Sequence, residues 1–227
     1  MSAVFITATG TGIGKTFVTA GLVRYLRDAG RDAVALKPVV TGYEGPAPGS
    51  DPVLLLEAMG EATGADAVAR ITPWQFKAPL SPDMAAMREE RVIDFDELVS
   101  FCRAESARHE FVLIEGVGGV MVPLDPRHTV LDWMSALGAP VLLVAGSYLG
   151  TLSHTLTAAE ALSRAGIRAQ ALVINDSGDD AVPLTDTAAT LHRFLPRLEV
   201  AILPRGASSP DFAPLASALF RSDRPAR

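Results

Sequence analysis

The segment Thr7–Thr16 carries the clearest chemical signal in the sequence, because it has the composition of a phosphate-binding loop. Its residues in order are Thr7, Ala8, Thr9, Gly10, Thr11, Gly12, Ile13, Gly14, Lys15 and Thr16. Glycines let backbone N–H groups turn toward one anion, and the start of the following helix adds partial positive charge. Lys15 can reach the outer phosphates, and the Thr16 hydroxyl can hold Mg²⁺. The segment therefore predicts a nucleoside triphosphate site.

The loop departs from the common pattern at its beginning. A glycine usually precedes the Gly-Lys-Thr glycine by five residues, but this sequence has Thr9 there and Ala8 one position earlier. The loop therefore reads as one residue longer than usual, with Gly10 and Gly12 supplying its flexibility. The alternative is a glycine-rich turn between a strand and a helix that binds no ligand.

Lys37 stands inside an otherwise apolar run, where an unpaired ammonium would be costly to bury. It can pair with a structural carboxylate or extend to solvent, or it can face the phosphate loop and bind an anion. The run ends beside the predicted position of Lys15, which favours a role for Lys37 in binding an anion at the phosphate loop. Thr41 follows in a loop that can line the same pocket.

Two carboxylates complete a predicted magnesium site. Glu115 ends an apolar strand and is followed by glycines that permit close approach of the backbone to a ligand. Asp51 begins a helix after a Gly/Pro-rich loop, where it is either a helix cap or a metal ligand. Together with Thr16, these residues would offer three hard oxygen ligands. The alternative for Glu115 is an exposed glutamate in a tight strand-exit turn.

Two later strand ends can hold a nucleotide base. Asn175 and Asp176 follow an apolar run, and an asparagine amide can pair with the adenine edge because it carries a donor and an acceptor. The segment Pro204–Gly206 follows the last predicted strand and offers a second resting place for the base. Asn175 and Asp176 are also compatible with a simple turn.

These residues fall where alternating strands and helices would place them. The strands are short apolar runs without alternation, which is typical of parallel strands covered on both faces. Predicted strands are Ala3–Ile6, Ala33–Val40, Phe111–Ile114, Pro140–Ala145, Ala169–Ile174 and Val200–Leu203. Predicted helices are Lys15–Ala29, Pro52–Met59, Asp94–Arg108, Thr129–Leu137, Leu152–Ala165, Leu184–Phe194 and Phe212–Phe220, and Gly42–Gly49 and Thr72–Arg91 are predicted loops. This pattern predicts an α/β fold with a doubly wound, mostly parallel sheet flanked by helices.

Composition narrows the class of protein further. The 227 residues suit one large domain spanning 1–227, and 48% hydrophobic residues suffice for a core. A net charge of −6 argues against non-specific binding of nucleic acid or an anionic membrane. With one cysteine, no apolar run of about 18 residues and no leader-like start, a cytoplasmic protein is expected. The histidines show no metal-ligand spacing.

The order of these motifs resembles the dethiobiotin synthetases, which have the P-loop NTPase fold. The resemblance extends from about Phe5 to Gly206 and rests on Thr-x-Thr-x-x-Gly-Lys-Thr, Lys37-Pro38-Val39-x-Thr41-Gly42, Ser50-Asp51, Ser81-Pro82, Glu115-Gly116-x-Gly118-Gly119, Leu149-Gly150 and Asn175-Asp176. It implies a Mg²⁺-dependent ligase of biotin biosynthesis that uses ATP as co-substrate. Such an enzyme carboxylates 7,8-diaminononanoate with CO₂ and closes a cyclic urea through a carbamoyl phosphate-type intermediate.

The resemblance also implies roles for individual residues. Lys37, Lys15 and Thr11 would be catalytic, and Thr16, Asp51 and Glu115 would hold the metal. The nucleotide would contact Gly12, Ile13, Gly14, Lys15, Thr16, Phe17, Asp51, Glu115, Gly116, Val117, Gly118, Asn175, Asp176, Pro204, Arg205 and Gly206. The diamine would contact Thr11, Lys37, Thr41, Gly118, Leu149 and Gly150. Family members are homodimers whose substrate site borders the partner subunit.

Some features depart from the family or suggest another class. Ala8, Gly12 and Asp83 replace a glycine, a glutamate and a histidine that are common in the family. The main alternative is a switch ATPase of the partition or septum-site type, which has the same fold. Such proteins typically carry a second lysine where this sequence has Gly10, and the arginines of the terminal segment 221–227 are too few to suggest a membrane anchor.

Overall fold

The computed structural model describes residues 2–176, 178 and 182–220. Eight strands are present within these residues, and they form one large sheet and one small one. The strands are β1 (Ser2–Ala8), β2 (Ala33–Leu36), β3 (Val39–Val40), β4 (Trp74–Gln75), β5 (Phe111–Glu115), β6 (Val141–Gly146), β7 (Ala169–Asn175) and β8 (Glu199–Leu203). The six-stranded sheet has the order β2-β5-β1-β6-β7-β8, and β3 pairs with β4 separately. The segment 221–227, considered in the sequence for a membrane anchor, lies outside the described residues.

Helices connect the strands and flank the large sheet. They are α1 (Lys15–Asp28), α2 (Asp51–Met59), α3 (Ala65–Ile71), α4 (Pro82–Arg88), α5 (Phe95–Ser106), α6 (Val130–Leu137), α7 (Thr151–Arg164), α8 (Leu184–Phe194) and α9 (Ala213–Leu219). A 3₁₀ turn, Ser209–Phe212, precedes α9. Helix α1 packs against β1, β2 and β5, and α7 packs against β6 and β7. The predicted α/β class with a parallel, helix-flanked sheet is confirmed.

All pairings in the large sheet are parallel, so the carboxyl ends of its strands meet at one edge. The register sets Ile6 beside Glu115, and Gly146 beside Asn175. The pairings therefore place the candidate residues Glu115 of β5 and Asn175 of β7 at this common edge. In parallel sheets of this kind ligands bind outside the carboxyl ends of the strands.

Burial explains why the central strands read as continuous apolar runs. Every residue of β2, β5 and β6 is buried, which requires cover on both faces of the sheet. At the centre, Phe5 of β1 meets Trp133 of α6 edge-to-face, with ring centroids 4.8 Å apart. Removing a fully buried aromatic side chain such as Trp133 typically costs about 3–5 kcal/mol of stability.

Three details of the predicted elements were wrong. The predicted strand Ala33–Val40 is divided at Lys37 and Pro38, since the Lys37 N–H donates to the Ile71 carbonyl and proline has no N–H for a ladder. The predicted loop Thr72–Arg91 contains β4 and α4. Helix α3 was not predicted, because its seven residues span too few turns for a clear periodicity.

Within the described residues, none of the helices combines the length and the apolar character that crossing a bilayer requires.

Candidate active site

A cavity of about 310 Å³ lies at the carboxyl edge of the large sheet. It is bounded by the phosphate loop, the segment after β2, the start of α2 and the segment after β5. The residues that line it are Thr11, Gly12, Gly14, Lys15, Thr16, Lys37, Val40, Thr41, Asp51, Glu115, Val117 and Gly118. We call it the phosphate cavity. It brings together most of the residues predicted to act on phosphates, metal and diamine.

The phosphate loop forms the floor of this cavity. Gly12 and Gly14 have φ values of 72° and 96°, a left-handed conformation that glycine adopts without steric cost. Gly14 is the N-cap of α1, so the amino end of that helix faces the cavity. Ala8, which replaces the usual glycine, is the buried last residue of β1 and not part of the turn. The strand-to-helix context predicted for the loop is therefore present.

Lys15 is held across the mouth of the loop. Its Nζ donates to the carbonyl oxygen of Gly118 at 2.6 Å and to that of Gly10 at 3.1 Å. Burial and the nearby Lys37 ammonium lower the pKa of Lys15 to about 8, against the opposing effect of Glu115 and Asp51. An anion bound in the cavity would restore the charged form, because opposite charge favours the ammonium.

Lys37 lies beside the predicted metal ligands. Its Nζ is 2.6 Å from Glu115 Oε1 and 3.1 Å from Asp51 Oδ2, and it also donates to the Gly116 carbonyl at 3.2 Å. Burial disfavours the charge, but Glu115 and Asp51 outweigh it and raise the pKa of Lys37. The two interpretations of this lysine are therefore both realised: it pairs with carboxylates, and it lines the phosphate cavity.

The three predicted metal ligands meet around this ammonium. Thr16 Oγ1 donates to Glu115 Oε1 at 2.8 Å, whereas Glu115 Oε2 is buried and has no hydrogen-bond partner within the described chain. Burial raises the pKa of Asp51, but Lys37 and the Thr16 hydroxyl hold it below its ordinary value. Asp51 is the first residue of α2, and the N-cap is Ser50.

The donor set suits a magnesium ion. Asp51 and Glu115 both pair with the Lys37 ammonium, so their oxygens already face a positive charge. The second oxygen of Glu115, which has no hydrogen-bond partner within the described residues, is a further hard ligand. No group of three or more His, Cys, Asp or Glu side chains suitable for a metal exists among the described residues. A metal here would therefore need Thr16, water and phosphate oxygens to complete its shell, as is usual for Mg²⁺.

The predicted base-binding residues lie outside the lining of the phosphate cavity, and one of them contacts the phosphate loop. Asn175 ends β7, and its Nδ2 donates to the Ile13 carbonyl at 3.1 Å. The Asp176 N–H donates to the Leu203 carbonyl at 3.0 Å, so the segment Pro204–Gly206 begins beside it. Arg205 Nη2 is 4.0 Å from the Asp176 carboxylate. Sequence segments about 30 residues apart thus form one surface against the loop.

Two predicted groups lie away from the phosphate cavity. Phe17 is partly exposed in a smaller hollow of about 200 Å³ that Ala207 and Phe212 also line. Leu149 and Gly150 form the turn before α7, and Leu149 is 88% exposed. The structure does not bring Leu149 or Gly150 to the phosphate cavity of the same chain, as far as the described residues go.

A second depression of about 520 Å³ adjoins the phosphate cavity and shares Thr11 with it. We call it the apolar groove. Its remaining lining residues are Thr9, Gly10, Gly119, Val120, Met121, Val122, Pro123, His154, Thr157, Ala158 and Ala161. The side chain of Met121 is 56% exposed along it.

Sequence reasoning missed two polar contacts of Tyr148 beside this groove. Tyr148 Oη lies 2.9 Å from His154 Nδ1 and 3.5 Å from Thr9 Oγ1, which links the phosphate loop to α7. The position of Tyr148 just after a strand end was the only sequence signal for these contacts.

Val40 lines the phosphate cavity and was not predicted there. Nothing in the sequence distinguishes it from the valines of the core.

Comparison with known proteins identifies close sequence relatives. The model of a family described as an AAA domain matches residues 2–209. The ATP-dependent dethiobiotin synthetase BioD of Acidiphilium cryptum is 54% identical over 199 residues, covering 86% of this chain and 89% of that protein. The enzyme of the same name from Caulobacter sp. is 48% identical over 211 residues, covering 92% of this chain and 90% of the relative.

Solved structures share the fold at much lower identity. The cell division ATPase MinD of Pyrococcus furiosus aligns with a TM-score of 0.57 and 18% identity, covering 98% of this chain and 100% of MinD. MinD–MinC from Aquifex aeolicus aligns with a TM-score of 0.59 and 14% identity, covering 100% of this chain and 99% of that one. These likenesses show a P-loop NTPase fold, and the switch-ATPase alternative gains nothing further from them. By its sequence relatives, the chain belongs to the family of ATP-dependent dethiobiotin synthetases.

Proposed function

We propose that this chain, a ligase of the dethiobiotin synthetase family, joins 7,8-diaminononanoate and CO₂ into a cyclic urea at the expense of ATP. The observation that carries the proposal is the pairing of a phosphate loop with a second buried lysine in one cavity. Lys15 and Lys37 both line the phosphate cavity, although Lys15 begins α1 and Lys37 follows β2. Two ammonium groups suit a reaction in which one anion must attack another.

The chemistry divides into three bond changes. One substrate amine adds to CO₂ and forms an N–C bond, and the resulting carbamate loses a proton. A carbamate oxygen then attacks the γ-phosphorus of ATP, which breaks the bond to ADP and leaves a carbamoyl phosphate-type intermediate. The second amine attacks the carbonyl carbon, closes the ring and expels phosphate. Each step joins groups held by the substrates, so no protein nucleophile is needed.

The lysines and Thr11 supply positioning and charge in this scheme. The Lys15 ammonium donates to the carbonyls of Gly10 and Gly118 across the phosphate loop, and from there it can bind the outer phosphates of ATP. Lys37 would offset the negative charge of the carbamate as it approaches the phosphate. Thr11 lies at the junction of the phosphate cavity and the apolar groove, where the amines of the substrate would enter. Thr41 and Gly118 line the same cavity and would contact the diamine.

Thr16, Asp51 and Glu115 would hold Mg²⁺, and the fit of their oxygens supports this assignment. A bound Mg²⁺ would neutralise phosphate charge during the transfer. Lys37 pairs with both carboxylates, so its ammonium lies beside the residues that would hold the metal and could also offset the charge of a carbamate bound there. Glu115, Gly116, Val117 and Gly118 would together border the phosphates.

Asn175, Asp176 and the segment Pro204–Gly206 would hold adenine. They are grouped by the pairing of β7 with β8, in which Asn175 lies beside Leu203. The base would then lie next to the phosphate loop, which Asn175 contacts through Ile13. Use of ATP suits the cytoplasmic location expected from the sequence.

The apolar groove supports a homodimer with the substrate site at the subunit boundary. Met121 is an exposed apolar side chain of the groove, and Leu149 is another on the turn before α7, the helix whose His154 lines the groove. Exposed apolar surface of this kind commonly marks an interface. Leu149 and Gly150 would then contact the substrate in the partner's phosphate cavity instead of their own.

Within one chain the buried apolar residues form one continuous cluster, which supports a single domain.

One assay tests the proposed reaction directly. The chain is incubated with ATP, Mg²⁺, bicarbonate and 7,8-diaminononanoate, and ADP and the cyclic urea are quantified by mass spectrometry. Formation of both products in equal amounts, and only when the diamine is present, is expected. ADP release that the diamine does not stimulate would overturn the synthetase assignment and favour a switch ATPase.

A further inference from the structure

The amide of Asn175 contacts the phosphate loop outside the phosphate cavity. Asn175 is buried at the end of β7, and its Nδ2 donates to the Ile13 carbonyl at 3.1 Å across 162 residues of sequence. Gly14 lines the phosphate cavity, whereas neither Ile13 nor Asn175 belongs to the cavity's described lining. The contact therefore lies next to a lining residue of the cavity but is not itself part of the lining.

The fit between this amide and the loop is close. A Cβ atom built on Gly14 would lie 2.2 Å from Asn175 Nδ2 and 3.1 Å from its Cγ. Gly14 also has a φ of 96°, where side chains other than hydrogen are strained. Glycine is thus needed at this position for two separate reasons, and one of them is the asparagine amide.

The hydrogen bond to Ile13 also sets the direction of the next N–H group. The Ile13 carbonyl and the Gly14 N–H belong to one planar trans peptide, so they point in opposite directions. A carbonyl held toward Asn175 turns the Gly14 N–H away from Asn175, and Gly14 itself lines the phosphate cavity. Backbone N–H groups directed in this way are what binds phosphate in such loops.

We infer that Asn175 is a positioning residue for the triphosphate, acting through the Ile13–Gly14 peptide in addition to its proposed contact with the base. Loss of the amide would leave the Ile13 carbonyl without this donor and free the peptide to rotate. Base recognition and phosphate binding would then share one side chain. The inference rests on the proposed function only in taking a triphosphate as the ligand.

Inorganic tripolyphosphate tests this role because it has no base. Its binding to the full chain with Mg²⁺ is measured by calorimetry for the unchanged protein, Asn175→Ala and Asn175→Ser, and ATP binding is measured alongside. We expect each substitution to weaken tripolyphosphate binding about tenfold. Thermal unfolding of each variant is recorded, and the serine variant serves if the alanine variant does not fold.

Gln170→Ala is the matched control. Gln170 lies on the same strand, and its amide donates to the carbonyls of Ala218 and Leu219 at 3.1 and 2.9 Å, far along β7 from the loop. This variant should bind tripolyphosphate within twofold of the unchanged chain. An equal loss in the control would overturn the inference, because it would show a general loosening of β7.

The opposite result is equally informative. Unchanged tripolyphosphate binding with weakened ATP binding would confine Asn175 to the base and overturn the inference. Neither outcome involves the diamine. A chain that behaves as expected here but forms no cyclic urea would retain this inference while the proposed function fails.

Discussion

The phosphate cavity and the apolar groove share Thr11, yet they satisfy their surfaces in opposite ways. In the cavity, charged groups bind one another: Lys37 lies between Glu115 and Asp51, and Lys15 is held by backbone carbonyls. In the groove, apolar side chains such as Met121 remain exposed. One region is therefore assembled within a single chain, whereas the other presents surface that a further molecule can cover.

The difference follows from the physical cost of each kind of surface. A buried charge without a partner is far more costly than an exposed methionine, so a chain must pair its buried charges within its own fold. Apolar surface can remain exposed until another molecule binds, because its exposure to water is only moderately unfavourable. Variants of the cavity should accordingly impair chemistry within each subunit, and variants of the groove should impair association.

The largest effect is expected from Lys37→Ala. Removing the ammonium takes away the charge proposed to stabilise the carbamate and phosphate, and kcat should fall about 1,000-fold. Lys77→Ala is the control, since Lys77 is an exposed lysine on the segment after β4. Activity near that of the unchanged chain would show that Lys37 only pairs with carboxylates.

Glu115→Gln is expected to have the next largest effect. It keeps the shape of the side chain but removes the carboxylate proposed for Mg²⁺, so the metal concentration for half-maximal turnover should rise about 100-fold. Mn²⁺ binding in the presence of ATP, followed by electron paramagnetic resonance, gives a readout independent of turnover. Glu160→Gln, on the exposed surface of α7, should leave both unchanged. An unaltered metal requirement would remove Glu115 from the site.

Met121→Asp tests the groove as a homodimer interface. A charge buried among apolar side chains at an interface should raise the dimer dissociation constant about 30-fold, as measured by sedimentation equilibrium. Met87→Asp is the matched control, because Met87 is 75% exposed on α4 and does not line the groove. If both variants associate as the unchanged chain does, the groove is not the interface.

The smallest effect concerns pH. Burial and Lys37 lower the pKa of Lys15 to about 8, so the ligand-free chain loses this ammonium as the pH rises above that value. Binding of ATP must then restore the proton, and affinity should fall about tenfold for each pH unit above 8. Calorimetry in buffers of different ionisation enthalpy measures the proton uptake.

Lys15→Arg provides the comparison for this pH effect. A guanidinium stays charged throughout the range, so the affinity of the variant should not depend on pH in this way. A chain whose ATP affinity is constant between pH 7 and 9 would contradict the lowered pKa of Lys15.

Much of the fold and the cavity was predictable because local sequence carries the relevant physics. Apolar runs without alternation indicate parallel strands buried on both faces, and a Gly-Lys-Thr after such a strand indicates a phosphate loop. The parallel arrangement alone then predicts that Lys37 and Glu115 gather at one edge. The division of the strand at Lys37 was not predictable in the same way, since it depends on the carbonyl of Ile71, a residue of the unpredicted α3.

The sequence by itself determined the class of fold, the phosphate loop and the residue types that gather at the strand ends, because these depend on short-range pattern and on parallel topology. Only the tertiary structure decided which of those residues touch. The ion pairs of Lys37, the contact of Asn175 with the Ile13 carbonyl and the adjoining apolar groove all join segments distant in sequence. Such contacts depend on the register and packing of whole elements, which no local pattern of residues encodes.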